Sequence, residues 1–378
     1  MKYNLSDICE YARGKVDVAA LDEQTYISTE NMMPNKGGIT RSSSLPTTAQ
    51  TQSFLAGDVL VSNIRPYFKK IWFADFDGGC SNDVLVFRAQ EGVSKRFLYY
   101  VLADDAFFDY SMATSKGTKM PRGDKAAIMK YEVPHFTFEE QEKIAGILEA
   151  LDRKIQLNSQ INENLLQQAQ SIFTQEFLSL DCIPDGWQES SLLGIADYLN
   201  GLAMQKYRPK DDEQGLPVLK IKELRQGSCD SNSELCSPSI KPEYIIHDGD
   251  VIFSWSGSLL VDLWCGGTCG LNQHLFRVTS STYDKWFYYA WTNHHLQKFA
   301  AIAADMATTM GHIKREELSK AEVLIPSQSD YDRIGGLLAP LYDLVVANRI
   351  ENRKLATLRD ELLPQLMSGQ LDVSEVSL

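Results

Sequence analysis

Residues 142–167, EKIAGILEALDRKIQLNSQINENLLQ, return 190 positions later as DRIGGLLAPLYDLVVANRIENRKLAT. Ile144/Ile334, Gly146/Gly336, Leu148/Leu338, Leu151/Leu341, Asn158/Asn348, Asn162/Asn352 and Leu165/Leu355 are identical pairs. Within each copy apolar residues recur every seven positions. Residues 144, 151, 158, 165 and 172 read Ile, Leu, Asn, Leu, Ile, beside 148, 155 and 162 as Leu, Ile, Asn. A 3.5-residue period is the signature of helices packed along a seam. Two such seams in one chain are expected to bury each other, although they could also form a groove for partner helices.

The duplication extends outward. GDVLVS at 57–62 returns as GDVIFS at 249–254, each a Gly-Asp turn leading into a β-branched strand. CSNDVLVFR at 80–88 is matched by CGLNQHLFR at 269–277, and FLYY at 97–100 by WFYY at 286–289. The expected fold is mixed α/β (α+β), an internal repeat with pseudo-two-fold symmetry. Two similar globules, 1–137 and 181–328, are separated by a pair of long antiparallel coiled-coil helices, 138–180 and 329–378. Thr137 and Glu140 form a T-x-x-E capping box ahead of the first helix. Pro340 is expected to kink or delay the second, and Pro364 to bend its end.

Charge and chemistry narrow the function. The chain carries a formal −13, yet residues 1–137 hold 16 basic and 16 acidic side chains, whereas 138–182 hold 3 and 8, and 329–378 hold 5 and 8. The helices therefore supply −8, and a neutral globule can still present a basic face, because phosphate binding is decided within about 10 Å. No run of eighteen apolar residues exists, so neither a membrane span nor secretion is expected, and the cytoplasm is the default. Seven cysteines without a C-x-x-C pair suit reduced thiols. Cys265, Cys269 and His274 match no common zinc spacing, and Cys269 falls where the first copy has Cys80, so buried strand cysteines are expected and no metal site. RPKDDEQGLPVLKIKE at 208–223 resembles a nuclease strand, but Lys220 stands where the second carboxylate belongs. A solvated turn and an alternating strand are expected instead.

The helical segments LDRKIQLNSQINENLLQQAQSIFTQEF and LYDLVVANRIENRKLATLRDELLPQLMSGQL, with PDGWQ at 184–188, resemble the conserved regions of specificity subunits of Type I restriction-modification systems. The resemblance covers essentially the whole chain and is weak inside the globules. It implies a non-catalytic subunit that directs two methylation subunits, and with them restriction subunits, to a bipartite double-stranded DNA target. It implies no cofactor on this chain, with S-adenosylmethionine, ATP and Mg on the partner subunits. The absence of N-P-P-[YF], G-x-x-x-x-G-K-[ST] and G-x-G-x-x-G motifs is consistent with chemistry carried elsewhere. A coiled-coil scaffold that never touches DNA, and a metal-dependent hydrolase, are the rival classes.

Candidate DNA contacts in the first globule are Arg65, Lys69 and Lys70 of RPYFKK, and Lys116, Thr118, Lys119 and Arg122 of KGTKMPRGDK. In the second they are Lys206, Arg208, Lys220 and Lys222, the base-reading candidate Gln273 beside His274, and Thr309, His312 and Lys314 of MATTMGHIKR. Any single lysine among them could equally be a solvated side chain. The aromatic residues of FLYY and WFYY are expected in helix cores. Asn158, Asn162, Asn348 and Asn352 are expected in one central layer that fixes the helix register, the alternative being that they face methylation subunits.

Overall fold

A single Asp closes the turn from which each globule's central strand springs. The computed structural model describes residues 2–305 and 315–373. Gly57 and Gly249 take left-handed backbone (φ +92° and +86°), which glycine adopts without steric cost. Asp58 Oδ2 then accepts from Leu55 N (2.8 Å) and Asp250 Oδ2 from His247 N (2.9 Å). The other face of each carboxylate binds an arginine from the neighbouring strand, Arg88 to Asp58 at 2.6 and 2.8 Å and Arg277 to Asp250 at 3.1 Å. Desolvated charge is tolerated at these turns because it is paired and hydrogen-bonded.

The chain forms two compact units, Met1–Lys154 with Leu355–Leu378, and Ile155–Lys354. The long helices, Phe138–Phe173 and Gln328–Met367, are thus each shared between units. In the first unit an antiparallel sheet runs in the order Cys9–Tyr11, Val84–Ala89, Val59–Ser62, Ile71–Phe73. In the second, Asp197–Asn200, Leu275–Thr279, Val251–Ser254 and Leu260–Leu263 repeat that order. A ladder of Lys2–Asn4 with Glu132–Pro134, matched by Gln188–Ser191 with Glu322–Ile325, closes each globule.

The copies diverge in a second sheet. Gly78–Cys80 pairs parallel with Tyr26–Ile27 and antiparallel with Gln50–Phe54, and Cys269–Leu271 likewise has one parallel partner, Leu216–Leu219, and one antiparallel partner, Ile245–Ile246. The fourth strand is added on opposite sides. Lys15–Asp17 extends the antiparallel partner in the first unit, and Leu235–Cys236 the parallel partner in the second. Cys80 and Cys269 are fully buried at equivalent places. A Cβ on Gly78 would strike the carbonyl oxygen of Thr25, so Gly78→Ala forces this sheet apart. We expect it to lower stability by about 1–3 kcal/mol, read from the urea unfolding midpoint of the first unit's transition.

The helices pack each unit's core from within it. Ile144, Ala145 and Leu148 share the first core with Leu363, Leu366 and Met367, against Phe97, Leu98 and Tyr100. Ala169 and Phe173 share the second with Ile334, Leu338 and Tyr342, against Trp286, Phe287 and Tyr289. FLYY and WFYY are therefore core. Thr137 and Glu140 cap the first helix reciprocally, Thr137 N donating to Glu140 Oε2 (2.7 Å) and Glu140 N to Thr137 Oγ1 (3.3 Å). Ser327 and Asp330, 190 residues on, cap the second: Asp330 N donates to Ser327 Oγ (3.3 Å) and Ser327 Oγ to Asp330 Oδ2 (2.8 Å).

Two local expectations are corrected. The second helix does not start late at Pro340: it begins at Gln328, and residues on both sides of Pro340 and Pro364 belong to it. Ile334 and Leu338, fully buried in the core just before Pro340, hold this stretch in place although Pro340 donates no backbone hydrogen bond. Lys220 and Lys222 lie not on a strand but at the start of a short helix, Ile221–Gln226, where Glu223 accepts from Lys220 N (3.3 Å). No helix of the described residues is long and apolar enough to cross a membrane.

Within the second unit the two helical stretches run antiparallel, and four asparagines meet. Asn158 Nδ2 donates to Asn352 Oδ1 and Asn348 Nδ2 to Asn162 Oδ1, both at 2.9 Å. Asn352 Nδ2 also reaches Ile155 O (3.2 Å), and Asn162 Nδ2 reaches Val345 O (3.4 Å). Adding or subtracting 190 converts each bond into its counterpart, so the hydrogen-bond pattern itself is two-fold. Asn158 is 1% exposed and Asn162 6%.

Candidate nucleic-acid interface

In the first unit, three segments far apart in sequence are stitched into one surface by backbone hydrogen bonds. Arg65 N donates to Pro121 O (2.8 Å) and Gly123 N to Asn63 O (3.2 Å), joining the RPYFKK turn to the KGTKMPRGDK loop. Asn35 N and Lys36 N donate to Phe68 O and Lys69 O, both at 2.8 Å, adding a third segment. Among the described residues, the non-glycine positions with left-handed backbone are Asn35, Lys36, Arg65 and Lys69, with φ between +49° and +60°. All four lie at this junction. Each costs roughly 1 kcal/mol or more, and such strain persists where the surroundings over-determine it, commonly at binding sites.

The cations here divide into those that hold the loop and those that project. Lys69 and Lys36 both grip Asp105, at 2.7 and 2.9 Å. Burial works to raise the Asp105 carboxyl, but the hydrogen bonds from Lys69 and Lys36 overcome it and leave the group below its ordinary value. Lys70 donates to Thr29 O at 2.6 Å, and burial lowers its pKa. Those ammonium groups brace the turn. Lys116, Thr118, Lys119 and Arg122 are exposed. Lys116 pairs with Asp124, whose carboxyl is held low by that bond and by the N–H groups of Ala127 and Ala126, and Arg122 pairs with Asp83 at 3.1 Å. Across residues 34–37, 63–70 and 116–125 stand eight Lys or Arg side chains; Asp83, Asp105 and Asp124 pair with members of the group, and Asp104 and Glu30 act on Lys36 and Lys70, which leaves a local excess of three in a chain of net −13. Asn63 Oδ1 and Arg65 Nε at its base are buried atoms with no protein partner.

Beside this surface is a polar cleft of about 390 Å³ lined by Arg13, Lys15, Gln50, Gln52, Asn82 and Lys125, among others. Its amides and cations are the side-chain types that pair with adenine and guanine edges. Sequence reading missed it, because its residues come from four separate segments and none carries a local motif.

The second unit presents its polar groups differently. Gln273 N donates to Leu202 O (2.9 Å) and Asn272 N to Leu219 O (3.1 Å), so the segments bearing Lys206, Lys220 and Gln273 lie side by side. Gln273 Nε2 lies 3.3 Å from His274 Nε2, His274 Nδ1 lies 3.2 Å from Ser256 Oγ, and Gln273 Oε1 is buried with no protein partner. Lys206 is exposed. Arg208 and Lys220 share Glu234, at 3.5 and 2.6 Å, and Lys222 pairs with Asp230 at 3.3 Å. Among the described residues, Glu234, Asp230 and Glu223 offset most of the charge of Lys206, Arg208, Lys220 and Lys222. Thr309, His312 and Lys314 lie outside the described residues. Among the described residues no three His, Cys, Asp or Glu side chains converge to hold a metal ion.

A chain that repeats one sheet-based unit, with the same core and seams and different polar loops in each copy, is an internally duplicated α/β protein. It belongs to the family described as Type I restriction modification DNA specificity domain, whose model matches residues 1–167 and 184–359. The specificity subunit of the Type I restriction enzyme MjaIX of Methanocaldococcus jannaschii is 24% identical over 309 residues, covering 76% of this chain and 71% of that one. The HindI specificity subunit of Haemophilus influenzae is 20% identical over 457 positions, covering 98% and 99%. A crystal structure of the Type I restriction-modification S subunit from M. genitalium shares the fold, with a TM-score of 0.59 over 97% of this chain and 96% of that one at 14% identity.

Proposed function

We propose that this chain is the non-catalytic DNA-recognition subunit of a Type I restriction-modification complex in the cytoplasm. Each unit reads one part of a bipartite double-stranded target, and the helices carry two methylation subunits and, through them, restriction subunits. S-adenosylmethionine, ATP and Mg act on those partners. The observation that carries the reading is the duplication itself, one conserved core presented twice with loops that differ in charge and shape. Exposed apolar residues on the helices, Leu157 with Ile161 and Leu337 with Leu344, support a role in holding partner helices. The basic surface of the first unit supports phosphate contact.

The test is methylation sequencing of DNA from cells carrying this chain with its methylation subunit, joined to binding assays on the purified complex. A split target and an affinity that falls steeply with salt are expected. Replacing Lys119 and Arg122 by Ala should weaken binding evenly across sequences and flatten the slope of log K against log salt by about 0.9 for each phosphate no longer neutralised. A protein scaffold that never touches DNA would show neither. Methyl transfer by the chain purified alone would contradict the non-catalytic role.

A further inference from the structure

We propose that Tyr67 and Phe68 form an aromatic wedge that enters the bound duplex and opens one base step in the part of the target contacted by the first unit. The inference rests on the DNA-recognition reading above and goes beyond it in naming an act, a residue pair and an asymmetry.

Tyr67 is 48% exposed and Phe68 38%, with ring centroids 4.7 Å apart. They sit at the tip of a one-turn 3-10 helix, Pro66–Phe68, bracketed by the left-handed residues Arg65 and Lys69. Pro66 is buried behind them. The turn is fastened on every side. Phe68 N donates to Arg65 O (3.0 Å), Lys69 N to Pro66 O (2.8 Å) and Ser62 N to Lys70 O (3.0 Å), in addition to the bonds from Asn35, Lys36 and Arg65 described above. A rigid support lets two apolar rings be presented to solvent without collapsing onto the core. Met33 and Met120, on the two neighbouring segments, are exposed as well.

The surroundings select the occupant. An apolar pair ringed by a net excess of cations matches a polyanion whose interior is a stack of aromatic rings. Apolar side chains driven between base steps, flanked by cations on phosphates, are how proteins kink a duplex, and base–aromatic contact is worth roughly 1–3 kcal/mol per base. Among the described residues the second unit shows no such device at the corresponding turn. The corresponding hairpin turn, between Val251–Ser254 and Leu260–Leu263, carries Trp255, but its ring stacks on Phe276 (5.5 Å) and its Nε1 donates to Asn200 Oδ1 (3.1 Å). That ring is part of a wall, so distortion is confined to one part of the target.

The experiment uses the full chain assembled with its methylation subunits, on the duplex identified by methylation sequencing, with 2-aminopurine placed at successive positions. The expected result is a fluorescence change on binding at one step in the first unit's part of the target. Tyr67→Ala with Phe68→Ala should abolish it and weaken binding about ten-fold or more, corresponding to at least one stacked base. Tyr67→Phe with Phe68→Tyr should retain it, and each single alanine variant should lose part of it. A bound complex with no change at any position, or an unaltered change in the double alanine variant, overturns the wedge. Failure of that variant to assemble with methylation subunits, measured by mass photometry, also overturns it and assigns the rings to a protein interface. If the wild-type complex retains no duplex at all, the DNA-recognition reading falls, and the wedge with it.

Discussion

Replacing residues 1–137 with those of a relative that reads different DNA changes one part of the methylated target and leaves the other as it was. The effect is large, because each altered base pair shifts discrimination by about 1–3 kcal/mol, and several positions together exchange one sequence for another. The exchange leaves part of the first core behind, Ile144, Leu148, Leu363 and Leu366, so the donor must bring apolar residues that match Phe97, Leu98 and Tyr100. Besides the Thr137–Glu140 cap, hydrogen bonds between the globule and the first long helix must be kept in the donor. Tyr100 Oη donates to Asp152 (2.8 Å), Ser94 N to Gln141 Oε1 (3.0 Å), and Gln141 Nε2 to Phe136 O (3.0 Å). Sequencing of methylated DNA reads the outcome. A change in both parts, or in neither, would show that the units do not read independently.

What the sequence disclosed, and what it withheld, follows from how far apart the partners are. The 190-residue offset was legible because seams and turns are local patterns: Ile144/Ile334 and Gly57/Gly249 keep their types wherever the same backbone is rebuilt. Thr137 with Glu140 was legible for the same reason, while its twin, Ser327 with Asp330, was obscured by Pro340, which suggested a later start. The KIKE segment misled because alternating Lys and apolar residues fit a strand, whereas Glu223 bonding back to Lys220 N starts a helix. The basic loops were visible, but their union was not. Nothing in RPYFKK announces that Pro121 O will accept from Arg65 N, and Asn35–Lys36 was overlooked although P-N-K-G-G is a turn-forming run. Nor could charge along the chain separate Lys69 and Lys70, which hold the turn, from Lys119, which is exposed.

Removing the buried amides one at a time destabilises the helix pair, and removing them as bonded partners does not. Sequence alone makes Asn158 and Asn348 counterparts, but the structure bonds Asn158 to Asn352 and Asn162 to Asn348. Asn158→Leu by itself deprives Asn352 Oδ1 of its donor and takes from Glu351 a hydrogen bond at 2.6 Å, costing about 1–3 kcal/mol. Adding Asn352→Leu removes the orphaned amide, and the carbonyl of Ile155 that it had reached remains within helical backbone. The double variant should therefore recover to wild-type stability or exceed it, a coupling of about 0.5–3 kcal/mol in a double-mutant cycle from chemical unfolding. We propose that the asparagines nevertheless serve register. A slipped pairing would set each amide against leucine, so the layer penalises every alignment but one, and leucine in its place relaxes that penalty. The stabilised variant should then accept targets with more than one interval between their two parts, which methylation sequencing reads directly. A single sharp interval together with loss of methylation-subunit binding would instead make these amides part of the partner interface.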